Sequence, residues 1–180
     1  MNTKTMIICA IFAAVLCVFS VMTIPISPVP ISMGIFGIML TASILGAKKG
    51  SIAVIIYILL GAIGLPVFSG FKGGIQVLAG PTGGYIWSYI FMAIIIGLLT
   101  AKLATKPILA MVQIFGACVL GTAVCYFFGT VQFMLVQNMG LIKSLSLCVF
   151  PFVAFDLLKA VVCAYLAYTI RKALLKANLL

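Results

Sequence analysis

The sequence predicts an all-α integral membrane protein, a bundle of six transmembrane helices with both termini in the cytoplasm. Hydrophobic residues make up 66% of the chain and charged residues only 7%, whereas a soluble domain carries roughly a quarter of its residues as charged ones. So few charges cannot cover a surface that faces water, and lipid must therefore surround most of the chain. A transmembrane helix needs about 20 apolar residues. Six such spans with short loops use all 180 residues, which we expect to form a single domain, residues 1–180.

The six predicted spans are separated by proline, glycine and lysine residues that interrupt the apolar runs. The first span is expected to end at the cluster Pro25, Pro28 and Pro30. Lys48–Lys49–Gly50 separates the second span from the third, and Pro66 ends the third. The expected spans are residues 5–23, 31–47, 51–65, 85–101, 108–129 and a sixth from about residue 151 to the basic tail.

The basic residues are divided unequally between the two sides of this arrangement. Eight of the 11 lie in the termini and in the second and fourth connections: Lys4, Lys48, Lys49, Lys102, Lys106, Arg171, Lys172 and Lys176. The opposite loops carry Lys72 and Lys143, and Lys159 lies inside the sixth span. Because positive charge accumulates in cytoplasmic loops, both termini are expected inside the cell and residues 68–84 outside.

Composition also excludes several classes of function. The net charge of +10 follows the span ends, and no basic stripe with interleaved aromatic residues suggests a nucleic-acid partner. The chain has no histidine, one acidic residue and no Cys-x-x-Cys pair among its six cysteines. These counts exclude a Ser–His–Asp triad and paired catalytic carboxylates, and they disfavour a zinc site or disulfides. We expect no enzyme, no metal and no cofactor.

Asp156, the single acidic residue, lies inside the apolar sixth span. An aspartate at the centre of a membrane helix costs roughly 2.5–3.5 kcal/mol on insertion scales, so a partner or a function is expected. Lys159 follows three residues later and can pair with Asp156 across one helical turn. Two interpretations follow, a structural ion pair that locks the bundle or an acid that meets a ligand, and the place of Asp156 near the outer end of the span favours the ligand.

The small residues that follow Asp156 predict the direction in which it points. They are Ala160, Cys163, Ala164 and Ala167, at positions i+4, i+7, i+8 and i+11. Faces of small side chains let membrane helices approach closely. We therefore expect Asp156 to face protein rather than lipid, which permits a pocket.

Residues 68–84 form a glycine-rich segment with Lys72 and Gln76 as polar side chains. Gly73 and Gly74 can let backbone N–H groups approach a ligand closely. The apolar residues of the segment are Phe68, Phe71, Ile75, Val77 and Leu78. They favour a segment that packs over an apolar surface, and the alternative is a flexible surface loop.

The start of the fourth span can contribute to the same site. Thr82 is placed to cap this helix, and the free N–H groups and positive dipole end of the helix would attract a carboxylate. Tyr85, Tyr89 and Met92 share one face of the helix and can form the wall of a site for an apolar ligand.

The first span carries a small-residue motif, Ala10-x-x-x-Ala14, which Ala13 and Cys17 extend. Such motifs favour close contact with another membrane helix. An alanine-rich helix often shows the motif by chance, so it predicts a contact face only together with other evidence.

Several motifs occur in order along the chain. They are Gly64–Leu65–Pro66–Val67–Phe68, Gly73–Gly74, Gly80–Pro81–Thr82–Gly83–Gly84–Tyr85, Pro151–Phe152 and Asp156–Leu157–Leu158–Lys159–Ala160. In order and spacing they resemble the BioY family, the biotin-specific S components of energy-coupling-factor (ECF) transporters, over nearly the whole chain. The last motif matches the Asp-x-x-Lys pattern of that family.

The resemblance implies a six-helix bundle in a prokaryotic cell membrane that binds biotin near its outer face. Asp156 can accept hydrogen bonds from the ureido N–H groups of biotin, and Lys159 can donate to the ureido carbonyl or to the acid itself. Lys72, Gln76 and the N–H groups of the fourth helix are expected to bind the carboxylate. The resemblance further implies that Ala10 and Ala14 contact a transmembrane coupling protein, which two ATPase subunits drive.

Two other classes of function are alternatives to a substrate-binding transport subunit. A self-sufficient secondary carrier for biotin or a related vitamin would normally show internal repeats and a coupling-ion site, and the sequence shows neither. A structural membrane protein would need neither the glycine-rich segment nor the lone acid. The sequence has no ATP-binding motif, so the energy for uptake must come from a partner or from a gradient.

Overall fold

The computed structural model describes residues 3–24 and 31–177, which are mainly helical. Seven helices and two short strands follow one another along these ranges. They are α1 Thr3–Val21, β1 Thr23–Ile24, β2 Ile31–Ser32, α2 Gly34–Ala62, α3 Ile75–Ala79, α4 Gly83–Leu99, α5 Pro107–Gln137, α6 Leu141–Cys148 and α7 Phe150–Lys176. The predicted proline cluster after the first span lies outside the described residues.

The long helices have the composition of membrane spans. α1, α2, α5 and α7 are each long and apolar enough to cross a bilayer, and α4 is an apolar helix of 17 residues. Large apolar side chains are exposed on their outer faces, among them Ile108 at 76% and Leu135 at 73%. A surface of this kind requires lipid rather than water as its solvent, and the chain is a mainly helical, multi-pass membrane protein.

α2 contains the turn that the sequence places between the second and third spans. Gly46 has φ 76° and ψ −179°, a conformation essentially restricted to glycine. A Cβ atom on Gly50 would lie 3.1 Å from the Cα atom of Ala42, although eight residues of straight helix would separate them by about 12 Å. The chain therefore folds back at Gly46, and the predicted break at Lys48–Lys49–Gly50 is wrong by a few residues.

α2 thus supplies two apolar segments, residues 34–45 and 47–62. With α1, α4, α5 and α7 they provide the six segments that the sequence predicts. The number of segments that cross the bilayer and the side of the termini stay predictions.

The helices pack around α2 and α4 at glycine contacts. α1 packs on α2, α4 lies between α2 and α5, and α7 contacts α5 and α2. A Cβ atom on Gly37 would lie 3.1 Å from Leu16 of α1, and one on Gly121 would lie 2.7 Å from Ile96 of α4. Close backbone approach of this kind is typical of membrane helix pairs.

The connection between the last two spans is more helical than predicted. α5 continues beyond residue 129 to Gln137, and Asn138 ends it in the left-handed conformation with φ 50°. Asparagine is one of the residues that tolerate this conformation at a helix end. α6 then occupies the loop, with Ser144 and Cys148 turned into the protein.

Candidate functional site

A cavity of about 230 Å³ lies between the end of α1, β2, both segments of α2, residues 68–82, α4, α5, α6 and α7. Its lining is partly aromatic and partly polar. The residues are Ser20, Ser32, Ile35, Tyr57, Phe68, Ser69, Lys72, Val77, Pro81, Thr82, Tyr85, Ile86, Tyr89, Tyr126, Phe133, Gln137, Cys148, Phe152, Asp156 and Lys159. An apolar cavity with a few converging polar groups is the usual form of a small-molecule site.

Asp156 is the centre of the polar cluster, and its carboxylate is bound on both oxygens. Lys159 Nζ lies 2.9 Å from Oδ1, so the predicted ion pair is confirmed. The hydroxyl of Tyr126 on α5 donates to Oδ2 at 2.6 Å. Lys159 also donates to the carbonyl of Ser32 at 2.8 Å, which joins α7 to β2. A carboxylate has about four acceptor positions, so Asp156 can still accept hydrogen bonds from a ligand.

The face of α7 below Asp156 explains its inward direction. Asp156 is 4% exposed, and Ala160, Cys163, Ala164 and Ala167 are all buried. This confirms the predicted face of small residues. Burial holds the ion pair in a low-dielectric environment, where it is screened little by salt.

The tyrosines of α4 form one wall of the cavity. Tyr85 and Tyr89 are buried, and the Tyr85 hydroxyl donates to the carbonyl of Cys148 at 3.4 Å. A Cβ atom on Gly129 of α5 would collide with the Tyr85 ring, and one on Gly84 would lie 2.6 Å from the Phe128 carbonyl. These two glycines therefore let α4 and α5 approach closely enough to place the tyrosine.

Thr82 lines the cavity but does not cap α4 with its side chain. It has φ −95° and ψ −2° and makes no capping hydrogen bond. Gln132 of α5 instead donates to the carbonyls of Leu78 and Gly80 at 2.9 and 2.8 Å. The predicted capping role of Thr82 is wrong, because the preceding turn is fixed from α5 rather than by the threonine.

The glycine-rich segment is a packed turn over the cavity. Phe68 and Lys72 exchange two backbone hydrogen bonds of 2.9 and 3.3 Å, and Lys72 lines the cavity. Phe68 is buried against Gly61 and meets the ring of Tyr57 edge-on at 5.6 Å. Phe71 and Ile75 are exposed while Phe68 and Leu78 are buried, so only part of the predicted apolar set packs inward.

Three residues expected at the site lie outside the cavity lining. Gly73 packs against the carbonyls of Gly64 and Leu65, and Gly74 has φ 96° at the start of α3. Gln76 is exposed and donates to the carbonyl of Gly73 at 3.4 Å. These positions give the two glycines a backbone role, and contact of the three with a ligand stays a prediction.

Several residues of the cavity lining were not predicted from the sequence. Tyr126, Phe133 and Gln137 lie at i, i+7 and i+11 on one face of α5, a spacing that could have identified them. Ser20 and Tyr57 share a buried hydrogen bond of 2.5 Å across α1 and α2. The last pair carries no sequence signal, because 37 residues separate its members.

α1 presents Ala10 and Ala14 outward. Both are exposed, whereas the neighbouring Ala13 is buried against the bundle. Large apolar residues beside the two alanines, including Ile7 and Ile11, are more than half exposed. α1 therefore has one face in the bundle and one face open to lipid or to a partner.

The described ranges contain no group of His, Cys, Asp or Glu side chains that could hold a metal ion. Their six cysteines are all free thiols, and five of them are buried. The chemistry of the site is therefore that of hydrogen bonds, one ion pair and aromatic walls.

Comparison with known proteins gives a consistent result over the full chain. Residues 1–176 match the model of the BioY family. The biotin transporter BioY of Thermotoga maritima is 41% identical over 169 residues, 94% of this chain and 96% of the relative. That of Rhizobium etli is 37% identical over 174 residues, 92% of each chain.

A solved structure supports the same assignment at the level of the fold. It is the S-component for biotin from an ECF-type ABC transporter, with a TM-score of 0.84 and 29% sequence identity. The match covers 96% of this chain and 95% of the solved chain. These relatives are transport proteins and not enzymes, and on the family match and the identities this chain belongs to the BioY family.

Proposed function

We propose that this chain is the high-affinity biotin-binding subunit of an ECF-type vitamin uptake transporter in a prokaryotic cell membrane. In this proposal one domain, formed by the whole chain, binds biotin from outside and delivers it to a transmembrane coupling protein powered by two ATPase subunits. The observation that carries the proposal is the cavity around Asp156, Lys159 and Tyr126, in a chain 41% identical to a biotin transporter.

The donors and acceptors of the cavity complement the functional groups of biotin. The ureido ring has two N–H donors and a carbonyl, and Asp156 accepts from the donors while Lys159 donates its third N–H to the carbonyl. Two of the three Lys159 donors are already held by Asp156 and Ser32. The ammonium group is therefore fixed in direction before a ligand binds, which reduces the entropy lost on binding.

The remaining groups fit the other parts of the ligand. Tyr85, Tyr89 and Phe68 supply aromatic walls for the apolar thioether ring. Lys72, at the mouth of the cavity, supplies a positive charge for the carboxylate. A lysine at an exposed position provides a flexible point charge, which suits the mobile end of the valerate chain.

The exposed alanine face of α1 is the proposed contact with the coupling protein. Ala10 and Ala14 leave the helix backbone open to close approach by another helix. The site and this face lie on different parts of the chain, since neither alanine lines the cavity. Binding and coupling should therefore be separable by mutation.

The direct test is equilibrium binding of radiolabelled biotin to the purified chain alone, followed by uptake into proteoliposomes. We expect saturable binding by the isolated chain and uptake only when the coupling protein and ATPases are present. Uptake by the chain alone, driven by an ion gradient, would identify a secondary carrier instead. Absence of saturable binding would refute the proposed site.

A further inference from the structure

A second, basic cleft lies at the opposite end of α7 from Asp156. It has a volume of about 570 Å³ and lies between the loop after α4 and the last turns of α7. Its lining consists of Leu103, Ala104, Thr105, Tyr168, Arg171, Lys172, Leu175 and Lys176. We propose that this cleft binds the phosphate headgroup of an anionic phospholipid of the cytoplasmic leaflet.

The floor of the cleft is a guanidinium group with a fixed position. Arg171 donates to the carbonyls of Ser43, Thr100 and Ala101 at 3.1, 2.6 and 3.1 Å. These carbonyls lie at the ends of two helical segments, where a positive group is favoured. An arginine has five N–H donors, so two remain for a ligand.

The wall of the cleft is also fixed. Gln113 of α5 donates to the carbonyls of Leu99 and Lys102 at 2.7 and 2.8 Å and accepts from the N–H group of Ala104 at 3.1 Å. A single side chain thus holds the loop that carries Leu103, Ala104 and Thr105. Hydrogen bonds of Arg171 and Gln113 therefore hold both the floor and the wall of the cleft in place.

The lining of the cleft contains three cationic side chains and no acidic one, which favours an anionic ligand. Lys172 and Lys176 are exposed, and the single acidic residue of the chain, Asp156, is paired with Lys159. Within the described ranges neither lysine forms an ion pair. Three cationic side chains around one cleft match a phosphate group, which arginine and lysine bind well.

The apolar part of the cleft favours a lipid over a free phosphate ion. Leu103 and Leu175 lie beside the cationic groups. Ile108 and Val112, on the first turns of α5 that follow the loop, are 76% and 60% exposed. A lipid headgroup in the cleft could extend its acyl chains along such a surface, and clefts of this kind on the cytoplasmic side are typical lipid sites.

The proposal is tested by binding of fluorescent phosphatidylglycerol to the full chain in an uncharged detergent. The paired substitution Lys172→Gln with Lys176→Gln should weaken binding about tenfold to thirtyfold, since each lysine near such a headgroup contributes a separate increment. Lys172→Arg with Lys176→Arg should bind as the parent does. Each single variant, Lys172→Gln or Lys176→Gln, should weaken phosphatidylglycerol binding about threefold to fivefold.

The matched control is Lys48→Gln with Lys49→Gln, which removes the same charge from another loop of the same predicted side. It should bind phosphatidylglycerol within twofold of the parent. An equal loss in the control would show a general surface effect and overturn the proposal. Equal binding of phosphatidylcholine, or displacement by millimolar inorganic phosphate, would also overturn it.

A protein partner is the competing occupant. If the paired glutamine variant keeps phosphatidylglycerol binding but no longer assembles with the coupling protein, the cleft is a protein contact. The melting temperature of each variant reports its folding and does not depend on biotin binding. Failure of biotin binding in the parent chain would refute the proposed function and leave the lipid result interpretable.

Discussion

At the scale of single residues, the site depends on how one carboxylate is held. Asp156 and Lys159 could be found from the sequence, because a lone acid in an apolar span stands out and its partner is one turn away. The spacing of Tyr126 from Phe133 and Gln137 could place it on one face of α5 but not beside Asp156, and nothing in the sequence brings Ser32 of β2 to the same cluster. Only the packing of α5 and of β2 against α7 brings them together.

Tyr126→Phe tests the positioning of Asp156. The change removes the hydroxyl that donates to Oδ2 at 2.6 Å, so the carboxylate loses one of its two fixed partners. Hydrogen bonds to charged groups are worth roughly 1.5–3 kcal/mol. Because this bond acts on biotin only through the orientation of Asp156, we expect a smaller effect than the full bond energy, a fall in biotin affinity of about threefold to tenfold by equilibrium dialysis.

The control for this variant is Tyr165→Phe, which removes the same atom from an α7 position that is 61% exposed. It should bind biotin as the parent does. Unchanged affinity in the Tyr126 variant would mean that Asp156 does not need this bond to meet its ligand.

At the scale of the elements, the apolar runs predict most helices and the tertiary contacts decide their ends. The sequence places the break in α2 at Lys48–Lys49–Gly50, but the reversal lies at Gly46. Gly46 allows the backbone angles of the reversal, and Gly50 allows the close contact with Ala42. A sequence pattern cannot distinguish these two uses of glycine, because each depends on where the returning segment packs.

Gly46→Ala tests the reversal. An alanine at φ 76° and ψ −179° is strained by about 1–3 kcal/mol, so the variant should be less stable by that amount in a denaturant titration. Gly116→Ala is the matched control, since a Cβ atom there has no neighbour within 4 Å. In this helical position alanine should be neutral or stabilising by about 0.5–1 kcal/mol. Equal stability of the two variants would contradict the strained turn.

At the scale of the whole molecule, composition and motif order are enough to assign a membrane bundle of the BioY family. The side of the membrane on which each loop lies stays a prediction, which rests on the distribution of the basic residues. The two regions proposed for function, the cavity around Asp156 and the α1 surface, are separate in the structure. Whole-molecule experiments can therefore address topology and coupling independently.

Topology is tested by labelling single cysteines with a membrane-impermeant thiol reagent. Lys72→Cys and Lys143→Cys should react from outside intact cells, whereas Lys48→Cys and Lys102→Cys should react only after permeabilisation. The reason is the accumulation of basic residues on the cytoplasmic side. The parent chain, with five of its six thiols buried, provides the background signal. Reaction of positions 72 and 102 from the same side would refute the six-span arrangement.

Coupling is tested by Ala10→Leu with Ala14→Leu. Bulky side chains on the exposed face of α1 should block close helix contact. We expect uptake by the reconstituted complex to be abolished while biotin binding by the isolated chain is unchanged. Ala13→Leu is the comparison, because Ala13 is buried in the bundle and its enlargement should disturb the fold itself. Equal loss of binding and uptake in the paired variant would place this face inside the subunit.

The measurement that tests the account most directly is biotin affinity of Asp156→Asn beside the melting temperature of the ligand-free variant. Asparagine keeps the size of the side chain but loses its charge, and its amide group presents donors to the ureido donors. We expect affinity to fall about tenfold to a hundredfold, the equivalent of one charge-assisted hydrogen bond, with a melting temperature near that of the parent. An Asn variant that binds biotin as tightly as the parent would contradict the proposed site, and a large loss of melting temperature with unchanged affinity would make Asp156 a structural residue.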